Sequence, residues 1–79
     1  MWYVYIIFCS DNSLYTGITT DIPRRIKEHN SGKGGSYTRA RRPVKLAHKE
    51  TCSTRSIALK REFWIKCLAR DKKLALIKY

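Results

Sequence analysis

The chain has 79 residues, which suits a single domain over 1–79, and its apolar fraction of 43% is enough for one small core. Seventeen lysines and arginines against six acidic residues give a net charge of +11, which favours a polyanionic partner: nucleic acid first, an anionic membrane surface second. No leader peptide or membrane-length apolar run is recognisable, and the three cysteines form no CxxC pair, so we expect a cytoplasmic protein that does not enter a membrane.

Two short apolar runs separated by a polar turn predict a β-hairpin at the start of the chain. The runs are Trp2–Phe8 and Leu14–Thr19, and the turn is Cys9–Ser13. Antiparallel pairing of residues whose numbers sum to about 22 places Tyr5 opposite Gly17 and Tyr15 opposite Ile7. Two phenols then share a face beside a glycine, which in a strand often marks a close approach to the backbone. Tyrosines also favour strands, so simple packing is the alternative.

A short helix is predicted from Ile22 to Asn30, because capping residues and a proline precede it and Asn-Ser-Gly follows it. Ile22 and Ile26 mark its buried side, and Arg25 and His29 project close to that side. A cation and an imidazole therefore point toward the sheet. The alternatives are an ordinary surface arginine and a histidine that caps the helix C-terminus.

The stretch Ser31–Pro43 is rich in glycine and basic residues and has no helical or strand period, so it predicts a flexible basic loop. Backbone amides beside glycines can approach phosphates, arginines can bind phosphate oxygens, and a tyrosine can stack on a base. The candidate nucleic-acid contacts are Gly17 in the hairpin and Lys33, Tyr37, Arg39, Arg41 and Arg42 in the loop.

The remaining residues predict one strand and two helices. The strand covers Val44–Thr51, with Val44, Leu46 and His48 on one face. The next helix begins after Ser53 or Thr54 and runs to about Leu68, with Ile57, Ala58, Ile65 and Leu68 as its core stripe. A last helix covers Ala69–Ile77, with Leu74 and Ile77 against the core.

Glu62 lies at the margin of that core stripe, where an isolated buried charge would be costly. Its carboxylate must therefore be paired or coordinated. A structural ion pair with Arg25 or another base is one explanation. The other is a single divalent ion, because one carboxylate with water and phosphate ligands suits Mg²⁺ (or Mn²⁺), and the other five acids are dispersed.

Tyr3-Val4-Tyr5 followed about ten residues later by Tyr15-Thr16-Gly17 resembles the paired motif of the GIY-YIG nuclease domain. The segment from His29 to Pro43 resembles HN...G...YTR..RP of a subgroup that includes small stand-alone bacterial proteins and the catalytic subunit of eukaryotic flap and junction nucleases. The resemblance implies an α+β fold: a three-stranded antiparallel sheet flanked by helices. It also implies an active site formed by Tyr5, Tyr15, Arg25, His29 and Glu62, with Glu62 holding the metal.

By this resemblance the expected activity is metal-dependent hydrolysis of phosphodiester bonds in branched or single-stranded DNA, of the kind used in DNA repair. We expect DNA rather than RNA, a monomer, and an activity that depends on a protein partner for specificity. The alternative is a nucleic-acid-binding module that keeps the fold without catalysis. Since ionising tyrosine at neutral pH costs about 4 kcal/mol, we expect His29 to draw a proton through Tyr15, while Tyr5 positions water or phosphate.

Overall fold

The computed structural model describes residues 1–77 of the chain. Its elements are β1 (Trp2–Phe8), β2 (Leu14–Thr19), α1 (Ile22–Asn30), α2 (Ser36–Arg39), β3 (Lys45–Cys52), α3 (Arg55–Lys66) and α4 (Arg70–Ile77). The strands form one antiparallel sheet in the order β2-β1-β3, so β1 is central. The α+β class and the three-stranded antiparallel sheet with flanking helices are confirmed. The single-domain prediction reaches to 79, and its last two residues lie outside the described part.

The predicted hairpin and its register are confirmed. Tyr5 pairs with Gly17, and Ile7 pairs with Tyr15. The turn closes through a 2.9 Å hydrogen bond from the Cys9 amide to the Ser13 carbonyl, and Asn12 adopts the positive φ that such a turn requires. The phenol rings of β1 and β2 therefore lie on one face of the sheet.

The third strand is shifted by one residue from its predicted bounds and carries an irregularity that the sequence did not reveal. Ile6 pairs with His48, whereas the next residue, Ile7, pairs with Leu46. Residue 47 is thereby left between the two pairs as a bulge, and side chains on either side of a bulge change faces. Leu46 and His48 consequently lie on opposite faces, so the predicted shared face is wrong.

Helix α1 has the predicted bounds because its ends carry clear local signals. The side chain of Asp21 accepts a 3.1 Å hydrogen bond from the Arg24 amide at the N-terminus. At the C-terminus the Ser31 amide donates to the Lys27 carbonyl, and the chain turns away at Gly32 with a φ of +89°.

The sheet separates two small cores. On one face Val4 and Ile6 pack with Cys52 of β3 and with Ala58 and Ile65 of α3. On the other face Tyr5, Ile7 and Cys9 pack with Ile22 of α1 and with Val44. The tyrosine face is therefore covered by α1, and α3 lies on the opposite side.

Helix α3 is shorter than predicted and buries fewer residues. It begins after the capping residue Thr54 and ends at Lys66, so Leu68 lies beyond it and is half-buried. Ala58 and Ile65 are buried as predicted, but Ile57 is 49% exposed and does not belong to the core stripe. Ala58 and Ile65 are the two buried positions of this helix. Arg61 and Glu62 lie at the edges of the buried stripe and are half-buried.

Helix α4 begins at Arg70, one residue later than predicted. Its Leu76 and Ile77 pack against the α3 core, and Leu74 is half-buried. None of the helices in the described part of the chain has the length and apolarity that a bilayer crossing requires.

The basic loop was predicted to lack regular structure, and in this respect the prediction is wrong. Ser36–Arg39 forms the short helix α2, which begins after Gly35 at a φ of +118°. The reason is tertiary: Thr38 is fully buried against α1, and loop arginines donate to loop carbonyls. Neither contact has a periodic signature in the sequence.

Candidate active site

A buried imidazole joins the sheet to the short helix α2. His29, in the last turn of α1, is fully buried. Its Nε2 lies 2.9 Å from the hydroxyl oxygen of Tyr5, and its Nδ1 lies 2.9 Å from the hydroxyl oxygen of Thr38. Both nitrogens are within hydrogen-bonding distance of a side chain, so this histidine is not merely a cap of the helix C-terminus.

Aromatic rings continue outward from this histidine. The Tyr15 ring meets the imidazole edge to face at 5.4 Å, and Tyr37 stacks on Tyr15 at 5.8 Å. The guanidinium of Arg41 covers the Tyr37 ring at 3.9 Å from its centre. Base stacking on Tyr37 would therefore compete with contacts that the protein already makes.

The hydrogen bond of His29 corrects our hypothesis for proton transfer. We expected His29 to act through Tyr15, but its Nε2 is bonded to Tyr5, and Tyr15 contacts the ring only by packing. Since His29 is fully buried with both nitrogens occupied, it reaches a reacting group only through Tyr5. Within residues 1–77, the hydroxyl of the half-buried Tyr15 makes no hydrogen bond and is open to water or substrate.

A side chain closely approaches the backbone at Gly17, as the glycine suggested. That side chain is Tyr5 of the neighbouring strand. A Cβ atom at this residue would lie 2.6 Å from the Tyr5 hydroxyl oxygen and 2.8 Å from the ring carbon that bears it. The glycine is buried under that phenol. The space beside Gly17 is filled by Tyr5, and the predicted direct contact between Gly17 and nucleic acid stays a prediction.

A second glycine accommodates the imidazole. Gly34 is buried, and a Cβ atom there would collide with Nδ1 of His29. Sequence analysis assigned no role to Gly34 or to Thr38. The one available signal was the resemblance itself, since the G and the YTR of the subgroup segment match the glycines of this loop and Tyr37-Thr38-Arg39.

Arg25 brings a positive charge to the same place. Its Nη1 donates to Glu28 at 3.0 Å, and its Nη2 donates to the Gly34 carbonyl at 3.4 Å. Burial opposes the charge, but the hydrogen bond to Glu28 and the nearby Tyr5 hydroxyl outweigh it and raise the pKa of Arg25. The guanidinium is therefore a permanent cation beside the phenol.

Burial and neighbouring charges keep both Tyr5 and His29 neutral at pH 7. Burial raises the pKa of Tyr5; Arg25 opposes this effect, whereas Tyr15 and Glu62 add to it. Burial, helped by the charge of Arg25, lowers the pKa of His29 below its usual 6.5. Tyr5 and His29 thus form a hydrogen bond between two neutral groups.

Glu62 is held less closely by its counter-charge than Asp11 and Glu50 are. Its Oε2 lies 3.4 Å from Nζ of Lys66, one turn along α3, and its side chain is only 18% exposed. Asp11 and Glu50, by contrast, bind arginines at 3.1 Å and 2.7 Å. Among residues 1–77, no three histidine, cysteine or acidic side chains gather as a metal site.

The loop arginines mainly hold the loop together. Arg39 donates to the Gly32 carbonyl at 3.2 Å, and Arg42 donates to the Arg39 carbonyl at 2.9 Å. Arg41 pairs with Asp11 of the hairpin turn at 3.1 Å. Lys33 is exposed and pairs with no acidic group in the part of the chain that the structure describes. Binding of nucleic acid by these four residues and Tyr37 stays a prediction.

Comparison with known proteins agrees with this fold and shows the family of the chain. The family described as the GIY-YIG catalytic domain matches residues 1–75. The UPF0213 protein of Desulfotalea psychrophila is 59% identical over 98% of this chain and 71% of its own length. The UPF0213 protein of Haloquadratum walsbyi is 60% identical over 94% and 83%, respectively. These names state no activity.

Two solved structures are also similar. The solution structure of a UPF0213 protein from Bacillus halodurans has a TM-score of 0.63 and 47% identity, covering 99% of this chain and 84% of that one. The solution structure of an Enterococcus protein, described as from E. faecalis, has a TM-score of 0.64 and 45% identity, covering 96% and 81%.

Proposed function

Because the chain belongs to the GIY-YIG catalytic-domain family, we propose that it is a metal-dependent endonuclease that hydrolyses phosphodiester bonds in branched or single-stranded DNA. One observation supports this most directly. The Tyr5 hydroxyl lies 2.9 Å from Nε2 of His29, the Tyr15 ring meets the same imidazole at 5.4 Å, and Arg25 lies near enough to Tyr5 to oppose the effect of burial on its pKa. Phosphodiester hydrolysis needs such a set: a cation for the developing charge, an activated water and help for the leaving oxygen.

Each of these residues has its own role. Arg25 carries a charge that burial does not remove, so it binds the scissile phosphate. Tyr15 has a free hydroxyl and contacts the attacking water. Tyr5 is 1% exposed and bonded to His29, so it orders the water or phosphate from beneath while His29 positions Tyr5.

Glu62 is the residue that would hold a single divalent ion, Mg²⁺ or Mn²⁺. It fits this role because its carboxylate is mostly shielded from solvent and, within residues 1–77, its ion pair is with Lys66 at 3.4 Å, a flexible side chain one turn along the same helix. Mg²⁺ keeps most of its water ligands and needs few carboxylates. When bound, such an ion stabilises charge on phosphate oxygens and lowers the pKa of a water ligand.

The charge of +11 supports binding to the DNA backbone, with exposed Lys33 among the contacts. We propose that the protein acts as a monomer and that a partner protein supplies substrate specificity.

The test is a cleavage screen on flap, junction and single-stranded DNA with Mg²⁺ or Mn²⁺. We expect nicking by the wild type and its loss in Glu62→Gln and Arg25→Ala, while salt-sensitive DNA binding is retained. The matched controls are Asp71→Asn, an exposed acid on α4, and Arg24→Ala, an exposed neighbour on α1. Both controls should cleave like the wild type.

The outcomes separate the enzyme from its alternative. Binding with a log-log salt slope of about −0.9 per neutralised phosphate, but no cleavage under any condition, would indicate a non-catalytic nucleic-acid-binding module. Cleavage that survives Glu62→Gln would show that another group supports the metal.

A further inference from the structure

Phe63 is the most exposed large apolar side chain of α3, with 71% of its surface open to solvent. It directly follows Glu62, the carboxylate proposed to hold the metal ion. Within residues 1–77 no other aromatic ring stacks on Phe63 and no guanidinium covers it. The next residue, Trp64, differs, because the guanidinium of Arg61 lies over its ring at 4.3 Å. Phe63 therefore presents an uncovered aromatic ring beside the proposed site.

Phe63 belongs to a compact group on the surface of α3. Helix positions three and four residues apart are neighbours, so one contiguous group, which we call the Phe63 patch, consists of Leu59, Glu62, Phe63 and Lys66. Glu62 is the shielded edge of this patch, with its side chain 18% exposed, and Lys66 pairs with it at 3.4 Å. Leu59 and Phe63 are its exposed part.

The Phe63 patch begins on the β2 side of the sheet. Arg61, at one margin of the buried stripe of α3, pairs with Glu50 of β3 at 2.7 Å. Glu62 occupies the opposite margin, and β2 is the edge strand on the opposite side of β1 from β3. The patch therefore leads from the edge strand that carries Tyr15 to the outer surface of α3. A strand of substrate bound at Glu62 has this surface next to it.

The surroundings of the patch are basic. Lys60 is exposed and pairs with no acidic group in the described part of the chain. Glu62 is the one acid of α3, whereas the basic residues of this helix are Arg55, Lys60, Arg61 and Lys66. Positive charges around an uncovered aromatic ring fit single-stranded DNA, because phosphates pair with the cations and an unpaired base stacks on the ring. A protein with an acidic surface would meet the same charges, but the substrate strand is the partner that must pass Glu62.

We propose that Phe63 is a specificity-determining residue of this site: its ring stacks on an unpaired base of the DNA strand that passes Glu62, while Lys60 contacts a phosphate of that strand. In a duplex the bases are already stacked on one another, so the ring gains a partner only from single-stranded DNA. Since every base has an aromatic face, this contact favours unpaired strands without selecting a sequence. The path of the strand rests on the proposed function, whereas stacking is measured without cleavage.

The test is fluorescence anisotropy of short labelled DNA in EDTA, where no metal-dependent cleavage takes place. The probes have equal length: oligothymidylate, the same sequence as a duplex, and a base-free deoxyribose-phosphate strand with the same charge. Phe63→Leu keeps an apolar side chain but removes the ring. We expect it to weaken oligothymidylate binding by about 5- to 150-fold, the effect of losing one base–aromatic stack. Its binding to the duplex and to the base-free strand should equal that of the wild type.

Two further variants serve as controls, and circular dichroism checks that each variant folds. Phe63→Trp keeps an aromatic face and should bind oligothymidylate like the wild type. Trp64→Leu removes a neighbouring ring that Arg61 already covers, so oligothymidylate binding should not change. The dependence of affinity on salt should be the same in Phe63→Leu as in the wild type, because no charge is removed. In the cleavage assay on single-stranded DNA, Phe63→Leu should raise KM and leave kcat nearly unchanged.

Oligothymidylate binding that is unchanged in Phe63→Leu, or reduced equally for the base-free strand, would overturn the proposal. A wild type that binds no oligothymidylate would overturn it as well. Sedimentation equilibrium tests another occupant: a wild-type dimer that is lost in Phe63→Leu would show that the patch joins two copies of the chain and would refute the DNA contact. If binding depends on Phe63 but no DNA is cleaved with Mg²⁺ or Mn²⁺, the nuclease proposal fails and the stacking contact stands.

Discussion

Substitution of Gly17 by alanine tests whether the space beside β2 is reserved for Tyr5. Two opposing free-energy contributions decide how stable this variant is. In a strand interior, alanine is favoured over glycine by about 0.5–1 kcal/mol, because glycine loses more backbone freedom on folding. The added Cβ would, however, lie 2.6 Å from the Tyr5 hydroxyl oxygen and 2.8 Å from the adjacent ring carbon. Overpacking of this kind costs about 1–3 kcal/mol.

The clash should outweigh the gain, because the phenol is buried and held by His29 at 2.9 Å. The two ranges allow a net cost of about 0–2.5 kcal/mol, and because the phenol cannot move away easily we expect Gly17→Ala to lower the free energy of unfolding by about 0.5–2.5 kcal/mol. In a domain of 79 residues each kcal/mol lowers Tm by roughly 4–8 °C. The assay is thermal unfolding followed by circular dichroism.

A double-mutant cycle assigns the loss to the phenol. Tyr5→Phe removes the nearest clashing atom, so Gly17→Ala should cost less in that background, with a coupling of at least about 0.5 kcal/mol. Tyr3→Phe is the matched control, since Tyr3 lies on the same face of β1 but pairs with Thr19. A Gly17→Ala variant as stable as the wild type, or an equal cost in all three backgrounds, would refute the reasoning.

Two further predictions concern the other face of the sheet. Glu50 accepts hydrogen bonds from Arg61, and these bonds lower the pKa of Glu50 below the usual 4.5. Partial burial acts in the opposite direction but is outweighed. Its stabilising effect is therefore complete above about pH 4.5 and is lost as pH falls through the lower folded-state pKa. Glu50→Gln should flatten the acid dependence of the urea midpoint; an unchanged dependence would contradict this. Phe63 is 71% exposed and Ile65 fully buried, so Phe63→Ser should change stability by less than about 0.5 kcal/mol and Ile65→Ala by about 2–5 kcal/mol. Urea denaturation measures both, and similar losses would show that Phe63 is covered in solution.

The sequence predicted the first half of the fold well because its signals are local. Period-two runs on either side of a polar turn identified β1 and β2 and their register, and capping residues identified both ends of α1. The net charge of +11 likewise follows from the composition of the chain without the structure. The bulge in β3 and the exposure of Ile57 were missed, since each depends on which face of an element meets the sheet.

The candidate site was only partly accessible from the sequence. Tyr5, Tyr15, Arg25, His29 and Glu62 could be selected by residue type and family resemblance, and their catalytic roles stay predictions. The partner of His29 could not be deduced, because residues from β1, α1 and α2 meet there only after packing.

The sequence by itself determined six of the seven elements of residues 1–77, their order, the hairpin register and the strong positive charge, because periodicity, capping and composition act among near neighbours. Tertiary structure alone decided that Tyr5 rather than Tyr15 bonds to His29, that Thr38 holds the other side of the imidazole, and that Gly17 makes room for a phenol. These contacts join residues distant along the chain, and close packing of the tyrosine face selects them.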